Sequence, residues 1–288
     1  ACVSQADLII LIGVDPVEFV LQKWRYQAPI IDISVIEYPV HYIKPDVGIY
    51  GPLSPNVSAL TDKILACRTD WTLPNVEILR HDMYQALQCR SDQGIGAQDV
   101  VEIALASALE SQAAFEKEKL PLITVDAGAH MFSAMAFWPC EESFDVLISN
   151  GLATMAYALP AAIAASMKIP DRMVVAFTGD GGLLMCLGEL STAVEQDVPI
   201  IVIVFNDRSL SLIDVKQQAS GLPSRGMRWT RPNFSQVMQG LGGQGYQVEN
   251  LQEYRQALDK AFVSGKPTLI DVLVNPEGYG PQLKALRG

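Results

Sequence analysis

The chain has 288 residues, a net charge of −11 and 49% hydrophobic residues. That length exceeds one average domain and buries a large core, while the acidic balance excludes attraction to nucleic acid or an anionic membrane through bulk charge. Apolar runs are frequent, but none reaches the length that spans a bilayer, so no membrane partner is expected. The cysteines, Cys2, Cys67, Cys89, Cys140 and Cys186, form no C-x-x-C pair. An odd, scattered set implies reduced thiols and a cytoplasmic setting.

Residues 1–66 open with Ala6 to Gly13, an apolar strand ending in a glycine turn, followed by the strand Pro29 to Ile33 and a helix from Val57 to Ala66. That is too little to close a doubly wound sheet. Residues 67–96 read as a connector: Trp71-Thr72-Leu73-Pro74, a helix-like stretch from Asn75 to Gln88, and a polar break from Ser91 to Gly96. Residues 97–288 read as a second domain that starts with a helix from Ala97 to Leu109. Its strands are Leu122 to Val125, Asp145 to Ile148, Arg172 to Phe177, Pro199 to Phe205 and Thr268 to Val274. Helices fill the gaps, among them Leu183 to Gln196, with Leu183, Leu187, Leu190 and Val194 on one face, and Leu251 to Val263. Continuous apolar strands alternating with amphipathic helices indicate an α/β fold with a doubly wound, mostly parallel sheet.

The most informative feature is Gly179-Asp180-Gly181-Gly182 after one buried strand and Asn206-Asp207 after the next. A right-handed strand–helix–strand unit places the carboxyl ends of both strands on one sheet edge. Asp180 and Asp207 therefore meet where open α/β sheets bind ligands. Two acids facing each other need a cation or a proton. Mg²⁺ takes oxygen ligands and shares them with phosphates, Gly181 and Gly182 leave room for a phosphate, and the helix opening there aims its N–H groups at it. A Walker loop is excluded because no Gly-Lys-Ser/Thr follows Gly179, and a dinucleotide fingerprint fails because Leu184 stands where glycine is required. A tight strand-to-helix turn with an Asn-Asp helix cap is the plain structural alternative. A nucleotide-binding or regulatory α/β module remains the functional one.

The stretch GDGGLLMCLGELSTAVEQDVPIIVIVFND resembles the cofactor motif of the thiamine-diphosphate enzymes of the acetolactate synthase and 2-oxoacid decarboxylase superfamily. Upstream, VDAGAHMF (Val125 to Phe132) is similar to the first diphosphate-contacting turn, and SNGLATMAYALPAAIAA (Ser149 to Ala165) to the segment that carries the cofactor wedge. The resemblance implies the thiamine-diphosphate-binding fold, preceded in residues 1–66 by the C-terminal part of a Rossmann-like central domain, so that the chain reads as a C-terminal fragment of a longer protein. It implies side-chain Mg²⁺ ligands at Asp180 and Asp207, a backbone carbonyl ligand at Ser209, and a bulky wedge at Met155. The Ala153 carbonyl would accept from the cofactor's amino group. Thr154 and Leu210 would line the site, and Gly128, Gly179, Gly181 and Gly182 would border the diphosphate. No catalytic residue is expected in this chain. The glutamate that activates the cofactor belongs to an N-terminal pyrimidine-binding domain, contributed by a second subunit of a homodimer or homotetramer, and the isolated chain should be inactive.

Other residues discriminate less. His130 is read equally as a site residue and as a loop histidine. His41 and His81 read as surface or packing residues, Glu189 as a structural residue of the helix after the motif, and Arg225, Arg228 and Arg231 as a solvated cluster with a secondary reading as substrate contacts. Lys216 stands where acetolactate synthases carry tryptophan, and Val14-Asp15-Pro16-Val17-Glu18-Phe19 replaces their flavin-contacting Arg-Phe-Asp-Asp run. Both departures argue against FAD and leave the identity of the small 2-oxoacid, and the choice between decarboxylation and carboligation, open.

Overall fold

The computed structural model describes every residue except 1–2, 16–23, 39–42, 64–71, 89, 92, 116–118 and 288. Cys2, Cys67, Cys89, His41, Trp71 and the run Val17-Glu18-Phe19 lie outside the described residues. The chain forms two compact units, residues 1–83 and 84–288.

In the smaller unit, β1 (Ile9–Ile12), β2 (Ile30–Ser34) and β3 (Val47–Tyr50) form a parallel sheet in that order. Ile9 and Leu11 are buried against Ile30 and Ile43, while Ile10 and Ile12 on the opposite face are exposed. The helix expected from Val57 starts earlier, as α1 (Leu53–Thr61). Pro55 does not block that start, because a first-turn N–H has no intrahelical partner to lose. The stretch expected at Asn75 to Gln88 is α2 (Leu73–Leu87), within which the division between the units falls.

The larger unit starts with β4 (Ile95–Gly96), α3 (Ala97–Ala114), β5 (Leu122–Val125), α4 (His130–Phe137), β6 (Val146–Ile148) and α5 (Ala158–Lys168). It continues through β7 (Val174–Gly179), α6 (Asp180–Met185), α7 (Glu189–Glu195), β8 (Ile200–Asn206), α8 (Ser211–Ala219) and α9 (Phe234–Gly240). β9 (Gln244–Val248), α10 (Leu251–Ser264), β10 (Thr268–Asn275) and α11 (Tyr279–Arg287) complete it. The sheet runs β4-β10-β8-β7-β5-β6, with β9 also on β10, and every described pairing is parallel. Period-two alternation sends side chains to two cores. Val175, Phe177, Ile201, Ile203 and Phe205 pack with α3, α4 and α10, while Val174, Ala176, Ile200, Val202 and Val204 pack with α5, α7 and α9. This is the doubly wound, mostly parallel α/β fold expected from the sequence.

One expected element is corrected. The helix read as Leu183 to Gln196 is two helices, α6 and α7, separated at residues 186–188. The chain turns there through Cys186 N–H to Leu183 O and Glu189 N–H to Cys186 O, and Gly188 lowers the cost of leaving the helix. Leu183 and Leu190 are nonetheless both fully buried.

Strand order then places the site. From β5 the chain moves outward to β6, returns past β5 to β7, and continues the other way to β8. The crevice at the carboxyl ends of β5 and β7 is the topological switch point, where ligands of open α/β sheets bind.

Candidate functional site

Gly179 pairs with Phe205 at the ends of β7 and β8. Asp180 opens α6 one residue later, and Asp207 follows β8 two residues later, so the register draws both acids to one place. Asp180 is 2% exposed. Its Oδ1 accepts the Gly181 N–H at 2.8 Å and its Oδ2 the Arg208 N–H at 2.8 Å. Asp207 Oδ2 accepts the Ser211 hydroxyl at 2.8 Å, while its buried Oδ1 has no hydrogen-bond partner among the described residues. Burial, and then the charge of Asp207, push the Asp180 carboxyl up to about 7. Burial likewise pushes Asp207 up to about 7, against the hydrogen bonds of Ser211 and Ser209 and the charges of Arg228 and Arg208. Two buried acids in one cavity favour a shared proton or a cation.

The main chain beyond Asp207 is held in a costly shape. Arg208 has φ +64°, a left-handed conformation worth about 1–2 kcal/mol against a non-glycine residue. An isolated antiparallel bridge between Ser209 and Arg228 fixes it. Its bonds run from Trp229 N–H to Arg208 O and from Leu210 N–H to Met227 O, so the Ser209 carbonyl takes no part. Among the described residues no three His, Cys, Asp or Glu side chains gather as a metal cluster. The donors on offer are two carboxylates and main-chain oxygen, which suits a hard cation.

A cavity of about 330 Å³ contains the site. Gly128, Ala153, Met155, Gly179, Asp180, Gly181, Gly182, Asp207, Ser209 and Leu210 all line it. Thr154 is not among its lining residues and is exposed. Side-chain space distinguishes the glycines. A Cβ on Gly181 would stand 2.8 Å from Leu210 Cδ2 and 3.5 Å from Met155 Cε, facing the cavity wall. A Cβ on Gly182 would stand 2.3 Å from Asp126 Oδ2, inside the protein. Gly128 and Gly179 make way for the His130 ring, 2.6 Å and 3.3 Å from where their Cβ atoms would be.

His130 is buried at the start of α4, lines the cavity, and packs at 5.1 Å on the Phe205 ring. Burial holds its imidazole down at about 4, partly offset by Asp126 and a bond to the Phe177 backbone, and its Nε2 has no partner. Sequence reasoning also missed Leu212, Ile213 and Tyr279 as lining residues, and named Lys216 only for its departure from relatives. Leu212 and Lys216 share one face of α8 at i, i+4 spacing, which a helical reading of 211–219 could have found.

The other candidate residues have local, structural surroundings. Glu189 is the first residue of α7, where its carboxylate accepts the Thr192 hydroxyl. The arginines do not act as one cluster, because two of them pair separately: Arg228 with Asp214 at 3.0 Å, and Arg231 with Glu249 at 2.6 Å and more loosely with Asp271 at 3.6 Å. His81 lies exposed on α2. Cys140 and Cys186 are free thiols. No helix among the described residues is long and apolar enough to cross a membrane. A larger cavity of about 740 Å³, lined by Pro121, Met173 and Gly265, opens at the amino ends of the strands, away from the two acids.

The family profile described as "Thiamine pyrophosphate enzyme, C-terminal TPP binding domain" matches residues 126–272. The chain is 26% identical over 280 residues to an acetolactate synthase of Bacillus subtilis (strain 168), covering 94% of this chain and 47% of that protein. It is 34% identical over 160 residues to acetolactate synthase isozyme 1 large subunit of Escherichia coli (strain K12), covering 54% of this chain and 28% of the relative. Among solved structures, a thiamine diphosphate-dependent 4-hydroxybenzoylformate decarboxylase of Rhodococcus jostii RHA1 superposes with a TM-score of 0.69 at 17% identity, over 95% of this chain and 50% of that one. That likeness is one of fold. The chain spans about half the length, or less, of the curated relatives it matches.

Proposed function

The chain belongs to the thiamine pyrophosphate enzyme family, and we propose that its larger unit holds the diphosphate end of thiamine diphosphate through Mg²⁺, as one half of a 2-oxoacid decarboxylase or carboligase active site. The observation that carries this reading is the buried Asp180–Asp207 pair, both acids pushed up to about 7 and one oxygen without a partner. A divalent cation relieves their repulsion and satisfies the free oxygen. Asp180, Asp207 and the Ser209 carbonyl would hold the metal, and Gly128, Gly179, Gly181, Gly182 and the buried His130 would border the diphosphate.

Bound thiamine diphosphate supplies a carbon nucleophile and an electron sink for cleavage beside a carbonyl. The chain's own residues hold it and keep water out. Met155 would act as the wedge, and the Ala153 carbonyl would accept from the amino group. Leu210, Leu212 and Ile213 line the cavity with apolar surface, which strengthens every charge interaction inside. Lys216 lines the same cavity and has no carboxylate partner among the described residues, which suits a substrate acid.

The acetolactate synthase relatives support a 2-oxoacid as that substrate. In this reading residues 1–66 are the end of a central domain, 67–96 a connector and 97–288 the diphosphate domain of a cytoplasmic enzyme. The pyrimidine-binding domain of a second subunit covers the site within a homodimer or homotetramer. Calorimetry on the 288-residue chain tests the cofactor half. Thiamine diphosphate should bind in the presence of Mg²⁺ and weakly in EDTA, and Asp180→Ala should remove the difference. Equal affinity with and without Mg²⁺, or displacement by ATP at comparable concentration, would sink the assignment.

A further inference from the structure

Asp126 is fully buried at the end of β5, and no ion pair reaches it among the described residues. Polar side-chain atoms buried that deeply need hydrogen-bond partners. Oδ1 accepts the Ala158 N–H at 2.6 Å, and Oδ2 accepts the Ala156 N–H at 3.2 Å and the Thr178 hydroxyl at 2.6 Å. The register explains the last bond, since Val125 pairs with Phe177 and so sets Asp126 beside Thr178. The Asp126 N–H in turn donates to Phe177 O at 3.0 Å.

The partners belong to two different parts of the site. Thr178 stands two residues before Asp180, on the strand that delivers it. Ala156 and Ala158 follow directly on the turn that carries Ala153 and Met155. That turn is strained: Ala153 has φ +48° and Ala156 φ +64°, conformations that alanine rarely adopts unless its surroundings impose them. The Asp126 side chain accepts the N–H of the second directly. Thr124 adds a bond from its hydroxyl to Ala158 O at 2.8 Å. On the third side, Gly182 brings α6 so close that any Cβ there would meet Oδ2 at 2.3 Å.

We propose that Asp126 is the positioning residue of this site, locking the Ala153–Met155 turn to the strand that carries Asp180 so that the wedge and the metal ligand keep a fixed separation. The proposal rests on reading the cavity as a thiamine diphosphate site. It touches neither cofactor nor metal, so its effect should fall on the thiamine end of the ligand and spare the diphosphate end.

That split is measurable without turnover. The probes are thiamine diphosphate and inorganic pyrophosphate, each titrated with Mg²⁺ into the 288-residue chain by calorimetry. Pyrophosphate reports the diphosphate end alone. The wild-type chain should prefer thiamine diphosphate. Asp126→Asn replaces one carboxylate oxygen with an NH2 group, so one of the two turn N–H groups, that of Ala156 or that of Ala158, faces a donor and loses its acceptor. It should keep its pyrophosphate affinity and lose about tenfold or more in affinity for thiamine diphosphate. Thr178→Val, which removes one bond and leaves the carboxylate, should lower the preference in the same direction by less, and it serves should Asp126→Asn fail to fold. A folded Asp126→Asn chain that keeps the wild-type preference, or that loses both ligands equally, overturns the proposal. So does an unchanged preference in Thr178→Val. A wild-type chain that binds neither probe overturns the cofactor reading itself, and this proposal with it.

Discussion

Asp207→Asn should make the metal-free chain more stable at about pH 8, and by a smaller margin at about pH 5. Asparagine keeps the size of the side chain, an oxygen for a metal and a partner for the Ser211 hydroxyl, and removes only the charge. The folded Asp207 is pushed up to about 7 from 3.8. A gap of about three pH units corresponds to about 4 kcal/mol as an upper limit. Sharing of one proton within the pair and local water reduce that to about 2 kcal/mol. The sign follows from proton uptake. A carboxylate with a raised pKa gains a proton on folding, so its penalty is full above about 7 and fades as pH falls through that value toward 3.8. His130, held down at about 4, works the other way between 6.5 and 4, because only the unfolded chain takes up its proton there. It is common to both proteins and cancels. Asp145 and Asp214 are held below 3.8 by hydrogen bonds and arginines, and their stabilisation is lost only at lower pH. Urea unfolding in EDTA at the two pH values measures the gap. A variant less stable than wild type at the higher pH, or a gap that does not change with pH, would refute the reasoning.

Gly182→Ala should destabilise the fold by about 1–3 kcal/mol, lowering Tm by about 2–8 °C in a thermal melt, because its Cβ meets a carboxylate fixed by three bonds. Gly181→Ala meets the movable end of Leu210, so the melt should be normal while calorimetric affinity for thiamine diphosphate drops about tenfold; the reverse pattern would contradict the assignment of the two glycines. Once the pyrimidine-binding region is supplied, Lys216→Met should raise KM for a 2-oxoacid about tenfold with cofactor affinity unchanged, and a fall in kcat at constant KM would argue against an ionic substrate contact. The 288-residue chain alone should show no decarboxylation in a coupled assay, and should gain it when that region is added in trans. Comparable turnover with and without it would show that the chain's own residues complete the site.

The parts of the fold that the sequence announced are those buried on both faces. β7, β8 and β10 have no polar alternation, so their existence was plain and their ends were not: β7 runs two residues beyond the expected Phe177, to Gly179. The strands that went unread have weak patterns. β3 is Val-Gly-Ile-Tyr, four residues interrupted by glycine, β4 is two residues long, and β9 is Gln-Gly-Tyr-Gln-Val, with two glutamines and a glycine. The break between α6 and α7 was invisible to periodicity for a different reason. Leu183 and Leu190 are seven residues apart, and that spacing places both in the core whether the helix is continuous or interrupted. Gly188 was the only local signal.

At the site, legibility followed chemistry that a short segment can carry alone. Asp180 and Asp207 stood out because each ends a buried strand, and the parallel register did the rest. The arginines misled because a run of charges says nothing about its counter-ions, which come here from α8, from beyond β9 and from β10. Asp126 drew no separate reading from the sequence. Its significance depends on Thr178 and Ala156, 52 and 30 residues away, which only strand order brings to it. The adjacent glycines make the same point from the other side. Gly181 and Gly182 are indistinguishable in a motif, and both suggested room for phosphate. In the folded chain one faces the cavity and the other faces a buried carboxylate. A glycine motif therefore reports that something approaches the backbone closely, and the register of the neighbouring strands decides whether that something is a ligand or the protein itself.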